Sequence, residues 1–74
     1  MATRLRVLRH ARGETLTEVL ERLERLGGIT SKCMAYQIES GRRKAPASWR
    51  EPWAVALGIE AGKLFDASGW PVIS

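Results

Sequence analysis

The sequence predicts an all-α domain, compact and built from four or five short helices. Three observations carry the prediction. Leu16, Val19, Leu20, Leu23 and Leu26 recur at helical spacing, the strongest periodicity in the chain. Glycines and hydroxyl-bearing residues punctuate the periodic stretches where helices would stop and start. No apolar–polar alternation of the β kind occurs before the last five residues, Trp70-Pro71-Val72-Ile73-Ser74.

The elements follow in order. Leu5, Leu8 and Ala11, with Val7 beside them, form the stripe of a first helix that Gly13 stops. Thr15 with Glu18 three residues on is a capping box that opens the second helix. Its outward face carries Glu18–Arg22 and Glu21–Arg25, pairs in the favourable i,i+4 order, and Gly27-Gly28 ends it. Thr30 or Ser31 caps a third helix, with Met34, Ala35 and Ile38 inward and Lys32, Cys33, Tyr36 and Gln37 outward, and Gly41 stops it. Ser48 and Glu51 suggest a second capping box, and Pro52 should confine the start of the fourth helix to its neighbourhood. Trp49 and Trp53 are expected in the core around that helix, which ends at Gly58. A last helix over 60–66 should bury Leu64 and Phe65.

A chain of 74 residues supports one domain with a small core. At 45% hydrophobic and 27% charged residues it has the composition of a folded chain rather than a disordered one. The single cysteine, Cys33, rules out an internal disulfide, and the single histidine, His10, leaves a Cys/His zinc site short of ligands. Oligomerisation is the remaining support for so small a core. The longest apolar-leaning run, 53–59, is far too short for a membrane span, and no apolar segment follows the N-terminal arginines as a secretory signal requires. A cytoplasmic location is expected, which a free cysteine also suits.

The net charge of +4 is unevenly distributed. Residues 1–12 carry Arg4, Arg6, Arg9 and Arg12 and no acid; residues 31–50 carry Lys32, Arg42, Arg43, Lys44 and Arg50 against Glu39 alone. Each of these blocks is +4, and the segments 13–30 and 51–74 are each −2. A fold could gather the basic segments on one face, as a polyanion partner requires.

The third helix and its sequel carry the functional signal. A helix that reads the DNA major groove needs hydrogen-bonding side chains at i, i+1, i+4 and i+5, the spacing of Lys32, Cys33, Tyr36 and Gln37. Gln can pair with adenine, Lys can donate to guanine, and Tyr can reach a phosphate or pack on a thymine methyl. Ser31 at the helix start can meet a phosphate, and Arg42, Arg43 and Lys44 directly after the helix can clamp the backbone. No Ser/His/Asp set, carboxylate pair at a cleft or glycine-rich phosphate loop is present, so no enzymatic activity, cofactor, metal or small-molecule ligand is expected.

These residues belong to a wider pattern. Leu5-Arg6-Val7-Leu8-Arg9, Gly13 to Leu20, Gln37-Ile38-Glu39-Ser40-Gly41-Arg42-Arg43, Ala54 to Ile59 and Lys63-Leu64-Phe65 occur in that order over roughly residues 3–66. In this the chain resembles the Cro/repressor-type, or xenobiotic-response-element-type, helix-turn-helix family. The resemblance implies a five-helix, lambda-repressor-like helix-turn-helix domain over 1–67, with 68–74 as a short apolar tail. It places base reading on Lys32, Cys33, Tyr36 and Gln37, a phosphate contact on Ser31, and a structural ion pair between Arg9 of the first helix and Glu39 of the third. Leu16 stands where the family commonly has a polar residue, and Leu20 where a small one is usual. The link between the second and third helices is four or five residues longer than the common turn, as in a sub-group frequent in high-GC bacteria and their phages.

The implied function is a sequence-specific DNA-binding transcriptional regulator of the repressor or Cro kind, such as phages and plasmids encode. Its partner would be a double-stranded, palindromic operator, bound by a homodimer. Trp70, Val72 and Ile73 are the candidate dimer contact; the alternative for the tail is a strap folded over the core. The competing function is a protein-binding antirepressor or polymerase-binding module that keeps the fold.

Overall fold

The computed structural model describes residues 2–27 and 31–73. Five helices follow one another: α1 (Arg4–Ala11), α2 (Leu16–Arg25), α3 (Lys32–Glu39), α4 (Ala47–Leu57) and α5 (Ala61–Leu64). The described residues contain two isolated β-bridges but no strand, so the chain is an all-α domain. No helix among them is long and apolar enough to cross a membrane.

α1 starts earlier than its apolar stripe suggests. Thr3 is the N-cap, accepting from the Arg6 amide at 3.3 Å, and is itself buried. Leu5 is fully buried and Leu8 partly so, but Val7 and Ala11 are exposed, so α1 enters the core through its first turns only. α2 has the expected capping box: the Glu18 amide donates to Thr15 Oγ1 at 3.2 Å, and the Thr15 amide to Glu18 Oε1 at 3.1 Å. Val19, Leu20 and Leu23 are buried and Leu16 packs against them. Leu26 falls beyond the last turn, as C-cap, and is exposed instead of buried. Of the two expected ion pairs on α2, Glu21–Arg25 stands at 4.0 Å on the surface. Glu18–Arg22 does not form, because Arg22 turns to Glu14.

The N-cap of α3 is Ser31, whose Oγ accepts from the Met34 amide at 3.4 Å. Thr30, the other candidate cap, lies outside the described residues, as do Gly28 and Ile29 of the link from α2. Ala35 and Ile38 are buried and Met34 packs at the core's edge.

α4 departs most from expectation. It begins at Ala47 with Pro46 as N-cap and no side-chain cap, so Ser48 and Glu51 form no capping box. The Ala45 amide donates to the Gly69 carbonyl at 2.8 Å, which fixes the chain just ahead of the helix. Pro46, at φ −58° and ψ 150°, then turns directly into it. Pro52 therefore lies inside α4 rather than near its start, and removes one helical hydrogen bond. Burial of Trp49 and Trp53 on the same helix offsets that loss; their rings lie 6.1 Å apart, and Trp53 meets Phe65 edge-on at 6.1 Å. α4 packs against α2 and α5, and α2 also packs against α3.

α5 is a single turn, shorter than expected. Phe65 is buried as predicted but extended, with φ −131° and ψ 146°, since it pairs with Pro71 in a bridge. The tail folds back as a strap. The Val72 amide donates to the Leu64 carbonyl at 2.9 Å, the Arg4 amide donates to the Val72 carbonyl at 2.8 Å, and Thr3 pairs with Ile73. Trp70 and Ile73 remain exposed while Val72 is half-buried. Ser74 lies outside the described residues.

Candidate nucleic-acid interface

The N-terminal arginines have a structural role that composition alone does not reveal. Each of the four in residues 1–12 makes a polar contact with the fold. Arg4 Nη1 donates to the Lys63 carbonyl at 2.8 Å, and Arg12 Nη1 to the Leu57 carbonyl at 2.8 Å. These carbonyls lie in the last turns of α5 and α4, where acceptors lack helical partners and a cation is favoured. Arg12 Nε also lies 2.9 Å from Glu14 Oε1.

Arg9 and Arg6 converge on Glu39, a carboxylate only 1% exposed. Arg9 meets it in two-point fashion, Nε to Oε2 at 2.9 Å and Nη2 to Oε1 at 2.8 Å. Arg6 Nε adds a third bond at 3.3 Å to Oε1. The ion pair implied by the resemblance is thus present, and Arg6 is a partner that sequence reasoning missed. The hydrogen bonds that Arg9 donates to Glu39 hold its guanidinium above its ordinary pKa, against the opposing effect of partial burial. Thr3 Oγ1 donates to the Glu39 carbonyl, which ties the start of α1 to the last turn of α3. The first basic block is therefore largely spent on α1's attachments.

The other missed cluster joins α2 to the turn before it. Arg22 binds Glu14 across the capped start of α2, and Arg12 approaches the same carboxylate from α1. The Arg22 hydrogen bond holds the Glu14 carboxyl below its ordinary range; attraction to Arg22 and Arg12 acts in the same sense, and desolvation opposes it. A Glu just before a capping box is a weak sequence signal for such a pair, because the i,i+4 partner of Arg22 lies elsewhere.

α3 presents the expected outer face. Lys32, Cys33 and Tyr36 are exposed and Gln37 is half-exposed. Cys33 is a free thiol. Arg6 lies against the Tyr36 ring, its guanidinium carbon 5.8 Å from the centroid, so one α1 side chain braces both Glu39 below and Tyr36 above. Arg43 Nη1 donates to Gln37 Oε1 at 3.2 Å, linking the basic loop to the outer face of α3. Arg42, Arg43 and Lys44 are all exposed, and neither Arg42 nor Lys44 has a side-chain partner among the described residues. Ser31, Lys32, Gln37 and the 42–44 loop thus lie along one helix and the chain that leaves it, with Glu39 turned inward and neutralised.

The loop is held by the strap. Besides the Ala45–Gly69 backbone bond, Arg50 of α4 donates from Nε to the Ala45 carbonyl at 3.0 Å and from Nη2 to the Ser68 carbonyl at 3.2 Å. Gly69, at φ +96°, lies under that guanidinium, where a Cβ would overlap it. Asp66 Oδ1 accepts from the Ser68 and Trp70 amides, both at 2.9 Å, and closes the turn. A shallow cleft of about 460 Å³ results, bordered by Met34, the 42–44 loop, Arg50 and Trp70. Among the described residues no group of three His, Cys, Asp or Glu side chains is placed to hold a metal ion. Comparison with protein-family models, curated proteins and solved structures finds no match to this chain.

Proposed function

We propose that this chain is a sequence-specific DNA-binding regulator of the Cro/repressor helix-turn-helix kind, acting in the cytoplasm by occupying an operator. The observation that carries the reading is the outer face of α3, where Lys32, Cys33, Tyr36 and Gln37 run directly into Arg42, Arg43 and Lys44. An exposed helix with hydrogen-bonding side chains, followed by cations with no acid among them, matches groove reading with a phosphate clamp. Lys32 and Gln37 are assigned to base edges, and Cys33 and Tyr36 to the same groove. Ser31 at the helix start and the 42–44 loop are assigned to phosphates. Binding as a homodimer would set two such helices one DNA turn apart on a palindrome.

Selection of bound sequences from a random duplex pool tests the proposal. The expected result is an enriched motif whose affinity falls steeply with salt, by about 0.9 log units per log unit of salt for each phosphate neutralised. Failure to enrich any motif, with no duplex binding at low salt, would overturn it in favour of a protein partner.

A further inference from the structure

The cleft between the basic loop and the strap joins the 42–44 loop to two residues that the α3 reading does not use, Arg50 and Trp70. Its lining brings Trp70 beside Arg42, Arg43, Lys44 and Arg50. Trp70 is 43% exposed, whereas Trp49 and Trp53 are 3% and 1% exposed, so one of three tryptophans is displayed and it stands among cations. The arrangement is built rather than incidental. Arg50 is clamped between the Ala45 and Ser68 carbonyls, and Gly69 supplies the backbone room. Asp66 fixes the Trp70 amide, and the Ala45–Gly69 bond joins loop to strap. Arg43 borders the cleft and also reaches Gln37, so cleft and outer face of α3 share a side chain.

A symmetric contact between two copies centred on Trp70 would set this group of cations against itself, and like charges oppose such a face-to-face pairing. An anionic partner with flat, partly apolar units fits better. A nucleic-acid backbone offers both: phosphates for the cations and deoxyribose or base surface for the indole.

We propose that Trp70 and the cleft around it form a second contact with duplex DNA, seating the sugar–phosphate backbone that flanks the segment read by α3. This rests on the DNA-binding reading and moves Trp70 from a dimer contact to a DNA contact. The strap then lengthens the footprint and adds affinity without choosing sequence.

The test measures binding of the whole protein to two duplexes carrying the enriched motif, or a random sequence if none is enriched. One extends about one helical turn beyond the motif at each end and the other stops at the motif's edges. Trp70→Ala should weaken binding to the long duplex roughly fivefold or more, by analogy with aromatic contacts to nucleic acid. The short duplex, which lacks the flanking backbone, should bind the variant and the wild type alike. The long duplex should also change wild-type tryptophan emission and shield it from acrylamide, and Trp70→Phe should remove the acrylamide-sensitive component. An equal penalty on both duplexes would make Trp70 a structural residue and overturn the inference, as would unchanged emission on a duplex that binds well; in either case the α3 reading would stand. Absence of binding to either duplex at low salt would overturn both.

Discussion

Arg9 and Glu39 join the first helix to the third through two parallel hydrogen bonds, 2.9 and 2.8 Å long, around a carboxylate that is almost wholly buried. The pair fixes the back of α3 against α1 and thereby the direction in which its exposed face points. Removing one partner of a buried pair costs far more than the pair's net worth, because a charge stays behind. Arg9→Ala should lower stability by about 3 kcal/mol, with Arg6 compensating only in part. Replacing both, as Arg9→Met with Glu39→Leu, should cost less than Arg9→Ala alone. Urea denaturation followed by circular dichroism measures all three chains; a double variant less stable than Arg9→Ala would contradict this account.

Thr3 does two jobs with one hydroxyl, accepting from the Arg6 amide and donating to the Glu39 carbonyl. Thr3→Val keeps the shape and loses both bonds, at an expected cost of about 1–2 kcal/mol. Thermal denaturation would show it, and an unchanged midpoint would mean that the cap is dispensable.

Acid should weaken the Glu14 cluster. The Glu14 carboxyl titrates below its ordinary 4.5, chiefly through its bond from Arg22. A carboxyl with a lowered folded pKa contributes stability that is present above its unfolded value. That contribution disappears as the pH falls through the folded value. The loss attributable to this group should therefore lie below pH 4.5, and Glu14→Gln should flatten the stability curve there. Denaturant midpoints measured from neutral pH downward decide it; parallel curves for variant and wild type would refute the assignment.

Gly69→Ala should be costly for two reasons. The residue sits at φ +96°, and its Cβ would overlap the Arg50 guanidinium. A loss of about 1–3 kcal/mol is expected. A shift of the Trp70 amide resonance should accompany it, since Asp66 and Arg50 hold the same turn. Stability equal to wild type would show that the strap can rearrange without Arg50.

On DNA, Lys32→Ala and Gln37→Ala should relax sequence preference. Arg42→Ala should weaken binding to all sequences alike and reduce the salt slope by about one. Quantitative binding to the selected motif and to single-base variants separates these effects. If Lys32→Ala and Gln37→Ala left preference unchanged, α3 would not be the reader.

Local signals in the chain were legible where a local force sets the outcome. The α2 capping box is present, its apolar stripe is buried as far as Leu23, and Gly58 ends α4 in a left-handed cap. The start of α4 was misread because the Ser48–Glu51 pattern competes with a distant constraint: the Ala45–Gly69 bond sets where the helix begins. The same distance hid the duties of Arg4 and Arg12, whose acceptors are carbonyls more than forty residues away in sequence. Spacing along a helix can place Lys32, Tyr36 and Gln37 on one face. It carries no information that Arg43 would reach back to Gln37, or that Trp70 would stand beside the loop.

The Thr3–Ile73 bridge brings the two ends of the fold side by side. A few flexible residues would therefore suffice to close the backbone into a ring without breaking that bridge. Ring closure would remove disorder from the unfolded chain only, on the order of a few kcal/mol by loop-closure arguments. For a domain with so small a core, that is a substantial gain in resistance to unfolding.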